Sequence, residues 1–443
     1  MIAADTKCDF IQSDIVGAYL NVYLPANEPP VYLRVPQGMD GVPDDHVLQL
    51  HINLYGLCEA AWRWYKDLST TLATQGWIKH HSESCVWTRL DDPMDPHSRC
   101  YFLLHVDDSL TIGRNARKHY DLLAQHYEMK DMGIPDLWCG IEFTFLPDTI
   151  LLHQTAYRKH FVQHWTNHPV HPMKVTQHLS PLNANALSKI PDDAPEHNDP
   201  WYSEFCGMLN WLLLTGPEIT PSAVLLFRGL GHITPQHEKA AAHLLGYLDM
   251  NPDSGIYFDR VCQPPSPPEL VQFVDAEYGR NRVTGKSDEG QIIFLNGNVV
   301  SWSMKAQTMV AHSTYEAEII ALSNGTKQLS KIRNYIEGCG VELGPTLVYE
   351  DNTSVIRYAR DIGLARPARS LSQHLHYGRE KQQMGIIDIQ PVDSADNIAD
   401  FFTKPLSRIN FQRNAPRLGI KSVSECKATD HVERLMNSAG KKI

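Results

Sequence analysis

Nine cysteines are scattered through the 443 residues without one Cys-x-x-Cys pair. The sequence therefore offers neither a disulfide framework nor a cysteine-built zinc site, and a reduced compartment fits it best. Long hydrophobic runs are missing too: the apolar stretch from Met208 to Leu214 is far shorter than a membrane span, and the first residues lack a signal-peptide layout. The expectation is a chain without membrane contact, placed in a cytoplasmic particle or the nucleus. A Walker loop, a Gly-x-Gly-x-x-Gly turn, a Ser-His-Asp layout and short repeats are all absent. Positive charge is scarce, with 40 Lys and Arg against 51 Asp and Glu and a net charge of -11. That balance argues against a strongly basic nucleic-acid binder, because Lys and Arg normally neutralise phosphate; an acidic surface can still reach nucleic acid through metal ions. What is present suffices for real cores, since 42% of residues are hydrophobic, and the length points to two or three domains.

Along the chain, Asp9 to Val16 reads as a strand, Val31 to Val35 as a partly exposed strand, and Tyr55 to Leu72 as a helix with a stripe at Leu57, Ala61, Trp64, Leu68 and Leu72. Cys100 to Val106 is almost continuously apolar, meets Asp107-Asp108 and resumes as Leu110 to Gly113, which predicts a hairpin with both acids at its tip. Tyr202 to Leu214 and His237 to Leu248 read as helices packed against this front part. Four prolines in the five positions 264–268 mark an extended linker. Beyond it, Leu270 to Val274, Gln291 to Asn296 and Val299 to Ser303 read as strands, followed by helices alternating with strands at Thr346 to Tyr349 and Ile386 to Pro391. That order implies a mixed sheet flanked by helices.

Two sets of acids sit at the ends of these elements. The first is Asp14 with Asp107 and Asp108; the second is Asp275, Glu318, Asp351 and Asp400, with Glu316 the chief rival to Glu318. Two-metal phosphoryl transfer needs anionic oxygens that bridge ions roughly 3.5–4 Å apart, and Mg2+ prefers such hard donors, with Mn2+ able to replace it. Acids carried by different elements can form a cup for cations, whereas adjacent acids on one face merely repel. For each acid taken singly, a solvated surface charge is the competing reading.

Several ordered segments carry a family resemblance. Gln12 to Asn21, Tyr32 to Met39, Leu54-Tyr55-Gly56-Leu57 through Trp64-Tyr65, His105-Val106-Asp107-Asp108, Met129 to Gly133, Gly140 to Glu142 and Thr215 to Ile219 form the front set. Val274-Asp275-Ala276, Tyr315 to Glu318, Glu350 to Ser354 and Asn397 to Asp400 with Phe402 to Leu406 form the back set. From about Ala3 to Leu406 the chain resembles the reverse transcriptase and RNase H portion of a copia-type LTR-retrotransposon polyprotein. The resemblance implies an α+β and α/β multidomain fold: a reverse-transcriptase palm and thumb with incomplete fingers over 1–180, thumb or connection helices over 181–261, a linker over 262–269 and an RNase H-like mixed sheet over 270–406. A basic tail follows over 407–443, with eight Lys or Arg against three acids.

It also implies roles. Asp14, Asp107 and Asp108 would be the polymerase triad, Tyr19 would discriminate against a ribose 2'-hydroxyl, and Gly56 and Leu57 would contact nucleotide. Asp275, Glu318, Asp351 and Asp400 would hold the nuclease ions, and His376 would be structural. Implied partners are an RNA template, a DNA primer, dNTPs and an RNA-DNA hybrid, with integrase and capsid parts upstream in the same polyprotein. The sequence departs from the family where His105 precedes Val-Asp-Asp, at Cys58, Glu59, Ala61 and Gly216, and at Arg369 to Ser372. Met1 stands just ahead of the first catalytic motif, so the segment whose basic residues hold nucleotide phosphates is not in this sequence, and polymerisation by the chain alone is expected to be very weak or absent. The alternative function is a non-catalytic relic or a nucleic-acid-binding module. Among weaker signals, His160, His164, His168 and His171 share a helical spacing without an obvious acid or cysteine partner, His80-His81 reads as surface, and Trp62, Trp64 and Tyr65 read mainly as core.

Overall fold

The computed structural model describes residues 8–43, 45–182, 187, 199–259, 267–280, 284–360 and 372–427. Most of the linker expected over 262–269, much of the loop around 181–200, Arg369 to Leu371 and the tail from 428 lie outside the described residues.

Strand β1 (Asp9–Ile15) sits inside a six-stranded sheet. A small hairpin of β2 (Tyr32–Arg34) and β3 (Val47–Gln49) follows, then helix α1 (Ala60–Thr74). Ala60, Trp64, Leu68 and Leu72, four apart, are the buried stripe of α1. They pack with Trp87 and Phe102. Ala61, expected in that stripe, is exposed, and Ala60 takes the buried position four residues before Trp64. Trp64 is core, but Trp62 is 58% exposed. The sheet continues through β4 (Ile78–Lys79), β5 (Val86–Leu90), β6 (Arg99–His105) and β7 (Asp108–Gly113), then α2 (Ala116–Leu123) and β8 (Met129–Gly133). Its order is β4-β5-β6-β7-β1-β8.

A second sheet begins with β9 (Leu137–Trp138), β10 (Ile141–Phe145) and β11 (Thr149–His153). Helices α3 (Thr155–Thr166), α4 (Pro200–Leu212), α5 (Thr220–Phe227) and α6 (Pro235–Met250) precede its next strand, β12 (Ser254–Asp259). Helices α4 and α6, expected to lie against the front part, pack on α3, and their core also continues into Ile292, Val299, Met304, Phe401 and Phe402 of the C-terminal unit. Polar ties confirm the contact: Trp302 Nε1 donates to Thr220 Oγ1 at 3.0 Å, and Arg228 forks onto both oxygens of Asp288 at 2.7 and 3.0 Å. Periodicity identified the helices but carried no information on which sheet their apolar faces would meet.

The third sheet begins with β13 (Leu270–Glu277), β14 (Asp288–Leu295) and β15 (Asn298–Ala306), the last two joined by a tight turn at Asn296 and Gly297, both with positive φ. After α7 (Thr314–Gly338) come β16 (Thr346–Glu350), α8 (Thr353–Arg360), α9 (Ser372–Gln383) and β17 (Ile387–Pro391). The order is β15-β14-β13-β16-β17, antiparallel among the first three and parallel from β13 to β17. It is the open mixed sheet with flanking helices that the sequence implied. The segment after 406 is not a loose basic tail where it is described. Helix α10 (Arg408–Asn414) buries Phe411, Leu418 is fully buried, and β18 (Ile420–Ser422) adds to β12. Counting charges concealed these apolar anchors. His80, read as surface, is also buried: its Nε2 lies 2.9 Å from the Tyr335 carbonyl, joining the front sheet to the end of α7.

Candidate metal centres

The C-terminal centre gathers three acids from three elements. Asp275 belongs to β13, Glu318 to the first turns of α7, and Asp351 directly follows β16. One carboxylate oxygen of each lies within 4.8 Å of the others. Asp275 is 7% and Glu318 8% exposed. Burial, then the charges of Asp400 and Asp351, push Asp275 up to about 7, although the Thr403 hydroxyl donates to its Oδ2 at 2.9 Å. Burial and the neighbouring Glu350, Asp275 and Asp351 carboxylates raise Glu318 strongly. Its Oε2 is buried without a hydrogen-bond partner. A crowded set of hard oxygen donors with an orphaned oxygen is costly unless a cation or proton enters it, so the residues present fit a divalent ion.

Local structure explains why Glu318 and not Glu316 takes this place. Ser313 caps α7 by accepting the Glu316 N–H at 3.2 Å, and the Glu316 carboxylate accepts the His312 N–H at 2.8 Å. Glu316 is thus used at the helix end, two residues short of the site.

Asp400 lies in the 3-10 turn Ile398–Phe402 and is not within the tight group of three. Its Oδ1 is 2.7 Å from Lys404 Nζ, which also reaches Glu277 Oε2 at 3.0 Å. Although burial opposes it, these two carboxylates hold the Lys404 ammonium above its ordinary value. Asn397 ties the turn to β13 by donating to the Val274 carbonyl at 2.9 Å. Opposite Asp275 in the sheet stands Gly290, where an added Cβ would lie 2.7 Å from the Ala399 carbonyl oxygen and 2.8 Å from the Phe402 carbonyl carbon. Backbone cannot yield cheaply, so Gly290→Ala is expected to destabilise the protein by about 1–3 kcal/mol and to displace Asp400. Thermal denaturation tests this, and an unchanged Tm would refute the close-approach argument.

At the front centre, Asp14 pairs directly with Asp108 across β1 and β7. Asp107 sits in the turn between β6 and β7, as the hairpin expectation required. Val106, before it, has φ 62°, a left-handed conformation unfavourable for a β-branched residue. Two hydrogen bonds hold this turn: Trp64 Nε1 donates to the Val106 carbonyl at 2.8 Å, and the Ile15 N–H to the Asp107 carbonyl at 2.9 Å. Burial and the charges of Asp107 and Asp14 raise Asp108. Here the carboxylates are neighbours but do not form a triple as close as the C-terminal one. Tyr19, on the 3-10 turn Ala18–Asn21, packs against Tyr55 at 4.5 Å between ring centroids, the two rings tilted by 34°. Tyr55 was quoted in the family segment without a role of its own; burial and the Asp107 charge raise its hydroxyl. Gly56 and Leu57 follow it in the turn before α1, Gly56 exposed and Leu57 half-buried.

Two further clusters are explained without a metal. The structure supplies the acid that the histidine series lacked: Glu204 of α4 lies 3.1 Å from His164 Nε2 and 3.8 Å from His168 Nε2. However, His168 Nδ1 accepts the His171 N–H at 3.0 Å, which leaves the proton on Nε2, the nitrogen a metal would need bare. Asp91, Cys100 and His119 also converge. There Asp91 already accepts from Asn115 at 2.8 Å and Arg89 at 3.0 Å, and burial pushes the Cys100 thiol up to about 11. Exposed His376 stands on α9. Among the described residues no helix is long and apolar enough to cross a membrane.

Residues 1–175 match the family model described as reverse transcriptase (RNA-dependent DNA polymerase). A similar relative is the retrovirus-related Pol polyprotein from transposon RE2 of Arabidopsis thaliana, 27% identical over 428 residues, which are 95% of this chain and 28% of that one. Another is the Pol polyprotein from transposon TNT 1-94 of Nicotiana tabacum, 24% identical over 430 residues, covering 95% and 32% of the two chains. The chain is thus similar along nearly its whole length to Pol polyproteins of plant transposons, and over its first 175 residues to reverse transcriptases. It spans about a third or less of the length of these relatives. Solved structures that match include foamy viral protease-reverse transcriptase in complex with dsDNA, at 11% identity and TM-score 0.48, covering 87% of this chain and 68% of that one. The N-terminal RNase H domain of a Mycobacterium tuberculosis protein matches at 16% identity and TM-score 0.25, covering 33% and 96%.

Proposed function

We propose that the chain carries two metal-dependent phosphodiester centres, of which the C-terminal one cleaves the RNA strand of an RNA-DNA hybrid. The observation that carries this reading is the convergence of Asp275, Glu318 and Asp351 from three separate elements to within 4.8 Å. Bound Mg2+ or Mn2+ would supply Lewis-acid stabilisation of the attacking water and the departing 3'-oxygen. The chain's own part is to fix the donors. Thr403 orients the Asp275 carboxylate, Ser394 donates to Asp351 Oδ2 at 2.5 Å, and Lys404 puts a positive charge beside Asp400 at the rim. The front trio Asp14, Asp107 and Asp108 is assigned to nucleotidyl transfer from dNTPs onto a DNA primer on an RNA template. Support for that assignment is the reverse transcriptase family match and the pairing of Asp14 with Asp108.

Incubation of the purified chain with Mg2+ and a hybrid labelled on its RNA strand tests the nuclease. Cleavage is expected, lost in Glu318→Gln and retained in Glu316→Gln, which costs only a capping contact of about 1 kcal/mol. Equal loss in both variants would contradict the assignment. Hybrid binding without metal-dependent turnover would instead make the chain a nucleic-acid-binding module.

A further inference from the structure

Glu350 ends β16 and has no place in the centre described so far. It is completely buried. The strand alternates, burying Thr346, Val348 and Glu350, and Val348 shares a core with Ile319 and Leu322 of α7. Glu350 therefore faces the helix that carries Glu318, and its charge is the one that acts most strongly on Glu318. Glu350 Oε1 accepts the Asn352 N–H at 3.0 Å, while its Oε2 is buried without a partner. Glu318 Oε2 is orphaned in the same way. Among the described residues, no Lys, Arg or His forms an ion pair with either carboxylate. Two buried acids, each with a bare oxygen, would be a heavy and uncompensated cost in a finished core. Hard oxygens of this kind suit a divalent cation.

We infer that Glu350 is a further carboxylate of the C-terminal metal centre, holding the cation from the inner side together with Glu318. The inference rests on the metal-centre reading and adds to it the residue one position inward along the strand from Asp351. It makes the site richer in negative charge than Asp275, Glu318 and Asp351 alone, so that cation affinity depends on a residue with no access to solvent.

Isothermal titration of the full chain with Mn2+ and with Mg2+, without nucleic acid, tests this directly. Glu350→Gln, which keeps shape and removes charge, is expected to weaken binding by about tenfold or more, the scale of losing a supporting group of a metal site. Glu316→Gln should leave the affinity unchanged. Unaltered affinity in Glu350→Gln would overturn the inference and indicate that Glu318 and Glu350 merely share a proton, a bond the amide can imitate. If the amide does not pack, Glu350→Val, suited to a buried strand, gives the same comparison. Absence of Mn2+ binding by the unmodified chain would remove the metal centre itself, and this inference with it.

Discussion

Asp275→Asn is expected to abolish metal-dependent hybrid cleavage, with a loss of at least about a hundredfold, the scale seen when one preorganised charge-stabilising group is removed. The same change should stabilise the metal-free fold, with a defined pH dependence. Asp275 is buried against Asp400 and Asp351 and titrates near 7 in the folded chain, against about 3.9 when unfolded. Between those values the folded state holds a proton that the unfolded state has released. Raising the pH through this window therefore removes stability from the unmodified protein. Asn does not titrate, and its oxygen can still accept the Thr403 hydroxyl. The variant should match the unmodified chain near pH 4 and become progressively more stable than it towards pH 7, with Mg2+ narrowing the gap by binding the folded form. Denaturant unfolding at a series of pH values measures the difference. A variant less stable at pH 7 than at pH 4, relative to the unmodified chain, would show that Asp275 is already balanced by a cationic partner.

The largest stability effect outside the centres is expected at Arg158. Its side chain is 0% exposed and that of Glu218 1%, with Nη2 donating to Glu218 Oε1 at 2.8 Å and Nη1 to the Asn251 carbonyl at 3.1 Å. The pair pins α3 to the turn that starts α5, and α5 packs on the C-terminal sheet through Thr220 and Trp302. Arg158→Met leaves a carboxylate buried and unpaired, which costs about 3–5 kcal/mol. In a chain of this size that corresponds to a fall in Tm of roughly 3–5 °C. Replacing Glu218 by Leu in the same chain should recover most of the loss, since apolar groups can substitute for a buried ion pair. A single variant with an unchanged Tm would mean that the helical layer does not bridge the sheets as described.

Where elements ended on acids, the sequence was readable. Asp14, Asp107 and Asp108 came together because strand pairing brings strand ends together regardless of separation along the chain, and the hairpin was visible in two apolar runs around Asp107 and Asp108. The same logic found Asp275 and Asp351. It preferred Glu318 with Glu316 as a rival, and the cap at Ser313, which engages Glu316, separates the two. Glu350 was given no role although the two-residue period Thr346, Val348, Glu350 pointed inward. His80 with Tyr335, and Glu204 with His164, were invisible for another reason. Their partners are remote in sequence, and no local pattern encodes how two layers dock.

A crystal of the purified protein soaked in Mn2+ and recorded for anomalous scattering asks whether the buried acids hold a cation. A peak bound by Asp275, Glu318 and Asp351 is the expected result. A clean map there, with manganese bound elsewhere on the protein, would contradict the metal centre on which the proposed chemistry depends.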